Sequence, residues 1–274
     1  MPTRPMRWSP TQYDLFTENR STPFFDLTAR VRGSQTGAGP RRVVDLGCGP
    51  GSLTRSLAER WPDAEVVGLD SSPDMIDAAR AQTDLPPNLR FERGDIAQWT
   101  PGAEDDVIVS NAALQWVPTH RDLLPGWLAA LPADGWFAMQ VPGSATNESH
   151  RILRRLAGEE RWISALAPVI RPEETVVPAS GYLETMLEAG FEANAWETTY
   201  EHVLQGQDPV LEWVRGTALR PLLAALAPAD AADFEADYAR RLREAYPPGR
   251  FGTVYPFRRI FAVGHKPARL ARTD

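Results

Sequence analysis

The sequence has little cysteine: Cys48 stands alone among 274 residues. One thiol excludes an internal disulfide and zinc sites built on paired cysteines. Also missing is any apolar run near the roughly 18 residues that cross a bilayer. The first ten residues hold two arginines with no apolar stretch behind them, so no secretory signal is expected. These absences point to a reducing cytoplasm rather than to a membrane or the outside of the cell. Basic residues are also short, 29 Lys+Arg against 36 Asp+Glu, for a formal charge of −7. Such a surface suits nucleic acid poorly, because binding there relies on cations that neutralise phosphates. A small anionic substrate stays possible, since a few local arginines can dominate a pocket. The four histidines, His120, His150, His202 and His265, are scattered without metal-ligand spacing.

What is present is the material of a sizeable core, with 43% hydrophobic residues, nine Trp and ten Phe. From residue 42 onward the pattern alternates. Strands are predicted over 42–46, 65–69, 89–92, 106–110 and 135–141, with helices over 52–61, 73–81 and 123–131 and an earlier one over 24–31. Ser72 is the expected N-cap, before Pro73 at the first helical position. Strands alternating with helices imply an α/β class, a doubly wound, mostly parallel sheet with helices on both faces. After Pro142 the rhythm changes. Helices are predicted over 149–157, 180–189, 210–226 and 231–246, strands over 191–203 and 257–264, and loop over 167–178. Gly190 suits a left-handed helix end.

The strongest local signal is Val43-Val44-Asp45-Leu46-Gly47-Cys48-Gly49-Pro50-Gly51, between the first strand and its helix. Ligands of open α/β sheets bind at that end of the strands. Gly47 and Gly49 would let the backbone approach a ligand closely. Asp70 closes the second strand, where a carboxylate can accept both hydroxyl hydrogens of a ribose. A tight turn and an acidic cap would also account for these residues. The spacing decides between cofactors: NAD asks for G-x-G-x-x-G, and here it is G-x-G-x-G with Asp45 two residues before the first glycine. A carboxylate repels a pyrophosphate but attracts the ammonium and sulfonium of S-adenosylmethionine (SAM). Gly94-Asp95-Ile96 after the third strand offers Asp95 to an adenine amino group and Ile96 to its ring, with a helix cap as the alternative. Asn111, after the fourth strand, would reach the cofactor's methionine end, or serve as a turn residue. Cys48 reads best as a small filler of the tight turn.

With these motifs the chain resembles the class I SAM-dependent methyltransferases. More closely it resembles the branch that esterifies trans-aconitate, through Trp8 to Phe16, Leu69 to Ile76, Ser110 to Trp116, Trp196 to Tyr200, Leu211 to Val214, Ala218 to Pro221 and Phe257 to Phe261. The resemblance implies a Rossmann-like seven-stranded sheet whose last strand is antiparallel, with a helical insertion or cap. It implies one domain over 1–274, with a cofactor-covering segment over 1–32, a SAM-binding core over 41–142, a lid over 143–178 and a helical insertion over 207–248. It assigns Asp45, Gly47, Gly49, Asp70, Ser71, Met75, Asp95, Ile96 and Asn111 to SAM, and its product S-adenosylhomocysteine, and has Trp8 and Tyr13 close over the cofactor. A hydrophobic staple is the other reading of those two aromatics.

Methyl transfer to a carboxylate needs no general base, because a carboxyl group of pKa about 4 is already ionised at neutral pH. No catalytic triad is therefore expected; the work is alignment and exclusion of water. A polycarboxylate with one group left to react needs the others held, and the arginine fork suits that task. The candidates are Arg220, Arg258 and Arg259. Neighbours on a strand point to opposite faces, so without a bulge at most one of Arg258 and Arg259 should face the pocket, and the family pattern favours Arg259. Tyr200, Trp213 and His150 are weaker candidates for a wall or hydrogen bonds, and Gln115 and Trp116 for the surroundings of the transferred methyl. A surface or core role is the alternative for each. Partners are thus expected to be a small polycarboxylate, with no nucleic acid and no membrane.

Overall fold

A computed structural model describes residues 17–33, 39–143, 146–170 and 175–268. Trp8 and Tyr13 lie outside the described residues, as do parts of the expected cofactor-covering segment and lid.

The first half is the expected alternation. Strands β1 (Arg42–Leu46), β2 (Glu65–Asp70), β3 (Leu89–Arg93), β4 (Asp105–Asn111) and β5 (Trp136–Pro142) interleave with helices α2 (Ser52–Arg60), α3 (Pro73–Arg80) and α4 (His120–Ala130), after α1 (Thr17–Thr28). The first helix thus begins and ends earlier than the sequence suggested, with Pro23 inside it. Ser72 caps α3, its hydroxyl accepting from the Met75 amide at 3.4 Å, with Pro73 in the first turn. Lys266 closes α4 by donating to the carbonyls of Leu128, Ala129 and Leu131, which the helix end leaves without partners.

The second half adds α5 (Glu148–Ala157), α6 (Ile163–Leu166), α7 (Ala179–Glu188), β6 (Glu192–Leu204), α8 (Pro209–Arg215), α9 (Arg220–Ala225), α10 (Pro228–Ala245) and β7 (Thr253–His265). The helix expected over 210–226 is two helices. The first stops at Gly216, and Pro221, which has no N–H to give a continuing helix, sits instead in the first turn of the second. Gly190 takes φ +81° after α7, as expected. β6 is shifted by one residue from its predicted span, and β7 begins four residues before its own.

The seven strands order as β3-β2-β1-β4-β5-β7-β6. β1 pairs in parallel with β2 and β4, β2 with β3, and β4 with β5. β7 runs against β5: Lys266 exchanges backbone bonds with Asp134 and Gly135, while the Gly143 amide donates to the Arg258 carbonyl. β6 runs against β7, with Trp196 stacked on Phe261 at 4.7 Å and Glu192 beside His265. The sheet is therefore mixed and mostly parallel, with an antiparallel last strand. The chain order reverses between β1 and β4, the switch point where the following loops part and leave a crevice.

By its internal contacts the chain divides into two compact units, one of residues 1–141, 177–197 and 260–274, the other of 142–176 and 198–259. The core of the first unit is the sheet, with Val43, Val44, Leu46, Val66, Val107, Ile108 and Phe137 all but inaccessible. The core of the second gathers Leu156, Val214, Leu219, Phe234, Tyr238 and Tyr255. No helix among the described residues is long and apolar enough to cross a membrane.

Candidate functional site

In the first unit the carboxyl ends of β1, β2, β3 and β4 carry Asp45, Asp70, Asp95 and Asn111. Asp45 sits one residue before the end of β1, between two parallel neighbours, so its carboxyl is nearly closed to water at 3% exposure. Burial pushes it up to about 6; the Thr54 hydroxyl, donating at 2.7 Å, works against that, and the charge of Asp70 adds to it. No basic side chain pairs with Asp45 among the described residues.

The loop that follows is latched to β2. The Gly47 and Cys48 amides both donate to the Leu69 carbonyl, at 2.7 and 3.0 Å. The Gly49 amide donates to Asp70 Oδ2 at 3.0 Å and the Ser72 amide to Oδ1 at 2.8 Å. Burial raises the Asp70 carboxyl, and these amides oppose it. Gly47 has φ +82°, and a Cβ there would lie 2.2 Å from the Ala113 Cβ, so no side chain fits. At Gly49, with φ +56°, a Cβ would meet nothing within 4 Å. Cys48 is buried, and burial drives its thiol well above the usual range, which suits a turn filler and not a nucleophile. Ser71 is exposed, whereas Met75 is buried in the first turn of α3.

Asp95 does act as a cap: its Oδ1 accepts from the Ala97 amide at 2.9 Å, at the head of a short 3-10 turn, Ile96–Gln98. The residue is nonetheless exposed, and Ile96 beside it is buried, so one carboxylate can cap the turn and still face a ligand. Asn111 ends β4 at 9% exposure, and its Oδ1 is buried without a partner. Ala112 then takes φ +54°, and the Gln115 amide nitrogen donates back to the Ala112 carbonyl at 2.6 Å. Gln115 and Trp116 are half-buried in the turn Leu114–Trp116.

These residues fit a cationic cofactor with a diol. The orphaned Asn111 oxygen and the buried Asp45 carboxyl both call for donors or positive charge, and no phosphate would find a cation among them.

In the second unit the outer stretches of β6 and β7 hold Tyr200, Arg258 and Arg259, and helices α5, α8 and α9 hold His150, Trp213 and Arg220. On β7, Thr253, Tyr255, Phe257 and Arg259 are buried in alternation, while Arg258 is half-buried and donates to the Thr146 hydroxyl at 3.3 Å. Arg259 is 4% exposed, its guanidinium 4.4 Å from the centre of the Phe257 ring. On β6, Tyr200 stacks parallel to His202 at 6.2 Å, and His202 stacks on Trp213 of α8 at 4.8 Å. Trp213 in turn packs on Tyr255 and Phe257 at 5.7 and 5.5 Å. Arg259, Trp213 and Tyr200 therefore share one aromatic cluster. Arg220, half-buried in the first turn of α9, and Arg258 are not part of it by any of these contacts. His150 follows Ser149, whose hydroxyl lies 3.2 Å from His150 Nδ1 and 3.0 Å from the Tyr255 hydroxyl. His202 is the member that the sequence did not single out. Its signal was the two-residue spacing from Tyr200 on a strand, which puts both on one face.

A family model described as a methyltransferase domain matches residues 43–135. The trans-aconitate 2-methyltransferase of Streptomyces avermitilis is 49% identical, over 98% of this chain and 100% of its own length. That of Streptomyces coelicolor is 47% identical, over 97% of this chain and 89% of its own. Among solved structures, a putative methyltransferase of Bacillus halodurans matches with a TM-score of 0.54 and 17% identity, covering 90% of this chain and 100% of that one. That likeness supports the fold.

Proposed function

The chain belongs to the trans-aconitate 2-methyltransferase family of SAM-dependent enzymes, and from that footing we propose that it forms the monomethyl ester of trans-aconitate. The observation that carries this reading is the extent of the identity. The matched region covers 98% of the chain, so it spans the second unit as well as the methyltransferase core.

Asp45 and Asn111 are assigned to the cationic methionine end of the cofactor, Asp70 to its ribose, and Asp95 with Ile96 to its adenine. Gly47 and Gly49 form the loop beneath it, with Ser71 and Met75 beside the ribose-binding turn. When bound, SAM supplies a methyl group on an electron-poor sulfonium sulfur. The substrate carboxylate is already ionised, so no side chain has to move a proton. Arg259 is assigned to a non-reacting carboxylate, with Arg220 to another and Arg258 in a lesser part. Gln115 and Trp116 are assigned to the surroundings of the reacting oxygen, and Tyr200, Trp213 and His150 to the walls. The reaction needs the oxygen fixed in line and water kept off it, which strips the hydration that makes a carboxylate a poor nucleophile.

The test is incubation with SAM and trans-aconitate, beside cis-aconitate, citrate and isocitrate, with esters read by mass spectrometry. A monomethyl ester from trans-aconitate, and little from the others, is expected. Methylation of another acid or of a hydroxyl in its place would overturn the substrate and keep the enzyme class.

A further inference from the structure

The alternation of β6 places Tyr200, His202 and Leu204 on one face and leaves Glu201 and Val203 exposed on the other. His202 is held there by rings on several sides. Trp213 lies across it at 4.8 Å and 29°, Tyr200 runs almost parallel at 6.2 Å and 8°, and Phe257 sits 6.5 Å away. The same Phe257 carries the Arg259 guanidinium. The imidazole is 7% exposed, and its Nε2 is buried with no hydrogen-bond partner. Buried ring nitrogens are ordinarily hydrogen-bonded, so an unmet one beside a guanidinium marks a place for a ligand group.

We infer that His202 is a recognition residue for the anionic substrate. With Arg259 it forms a two-point seat for one substrate carboxylate: Arg259 gives the charge, and the imidazole gives one directional hydrogen bond from Nε2–H. This rests on the reading of the enzyme as a polycarboxylate methyltransferase. The stacked Trp213 fixes the plane of the ring, and with it the direction of the bond. Burial, and after it the charge of Arg259, hold the imidazole down to about 4, so the ring is neutral at physiological pH. The titratable or charged groups around it are Tyr200 on β6 and Tyr255 and Arg259 on β7, while α8 presents Trp213. A carboxylate arriving among them stabilises the protonated ring and raises its pKa.

The test combines kinetics, calorimetric binding of trans-aconitate to the protein loaded with S-adenosylhomocysteine, and an NMR titration of the His202 ring. His202→Phe keeps the stack and removes the nitrogens; His202→Gln keeps a donor. In His202→Phe, trans-aconitate binding and KM should weaken roughly 10-fold to 100-fold, the loss expected for a hydrogen bond to a charged group. The kcat and the KM for SAM should stay within about twofold, and His202→Gln should recover part of the loss. The His202 pKa should rise when trans-aconitate saturates the protein. Unchanged binding in His202→Phe, or a ring pKa indifferent to the ligand, would overturn the inference. If the wild type makes no ester but binds trans-aconitate in a His202-dependent way, the reaction falls and the seat stands.

Discussion

The two units bury different groups at their candidate sites. The first keeps the Asp45 and Asp70 carboxyls at strand ends, both raised by burial, and leaves the Asn111 oxygen without a donor. The second keeps the Arg259 guanidinium and the His202 imidazole among Trp213, Tyr255 and Phe257, with the ring pushed towards its neutral form. Burying an ionisable group is costly, and under the proposed reading each set receives a ligand of the opposite charge. A cation suits the first and an anion the second. The overall charge of −7 says nothing about this division, because it averages over the surface.

The comparison breaks most visibly at Arg259. Arg259→Ala should raise the KM for trans-aconitate about 100-fold, within the range for truncating one partner of a buried charge pair. The affinity for SAM should not change. If calorimetry instead shows SAM affinity lost along with substrate affinity, Arg259 supports the fold and the division of labour fails.

The acidic unit is tested by pH. The folded pKa of Asp45, about 6, lies above the ordinary carboxylate value. Its neutral form therefore favours the empty fold, a contribution present at low pH and lost as pH rises through about 6. A cationic ligand needs the ionised form, so SAM affinity should climb with pH up to that range and then level off. The slope should approach about tenfold per unit on the acid side. In Asp45→Asn most of this dependence should vanish, leaving what Asp70 contributes in the same direction. A flat profile in the wild type would mean that Asp45 does not meet the charge of the cofactor.

A smaller effect separates structure from function within the first unit. His120 Nε2 lies 2.9 Å from the Tyr182 hydroxyl, and His120 Nδ1 lies 2.9 Å from the Val117 carbonyl. The proton is assigned to Nδ1 by that carbonyl, so the tyrosine donates to Nε2. Tyr182→Phe should lower the unfolding free energy by about 1 kcal/mol. Both KM values should hold, since the pair ties α4 to α7 and neither residue is assigned to a ligand. A raised KM would bring His120 into the site.

The cofactor residues were legible because they are local. Asp45, Gly47 and Gly49 are a few residues of one strand–loop–helix turn, Asp70 and Asn111 each close a strand, and Asp95 follows another by two residues. Gly47 shows why the pattern holds, since the approach of Ala113 leaves it no room for a side chain. Arg259 was legible in part: alternation allowed at most one of two neighbouring arginines to face inward, and the resemblance favoured the one that is buried. The break between α8 and α9 was less so, because apolar residues at helical spacing run through Pro221, and only the hydrogen bonds show where one helix stops.

By itself, then, the sequence determined the α/β alternation, the charge logic of the Gly-rich turn and the membership of the family. Periodicity, spacing and side-chain charge are properties of neighbouring residues. Only the tertiary structure decided which polar groups are stripped of water and what faces them. Asp95 was shown to cap a turn and remain exposed, Asn111 to keep an unmet oxygen, and His202 to lie with Arg259 in a cluster drawn from two strands and a helix. Desolvation depends on neighbours far away in the chain, and such neighbours exist only once it has folded.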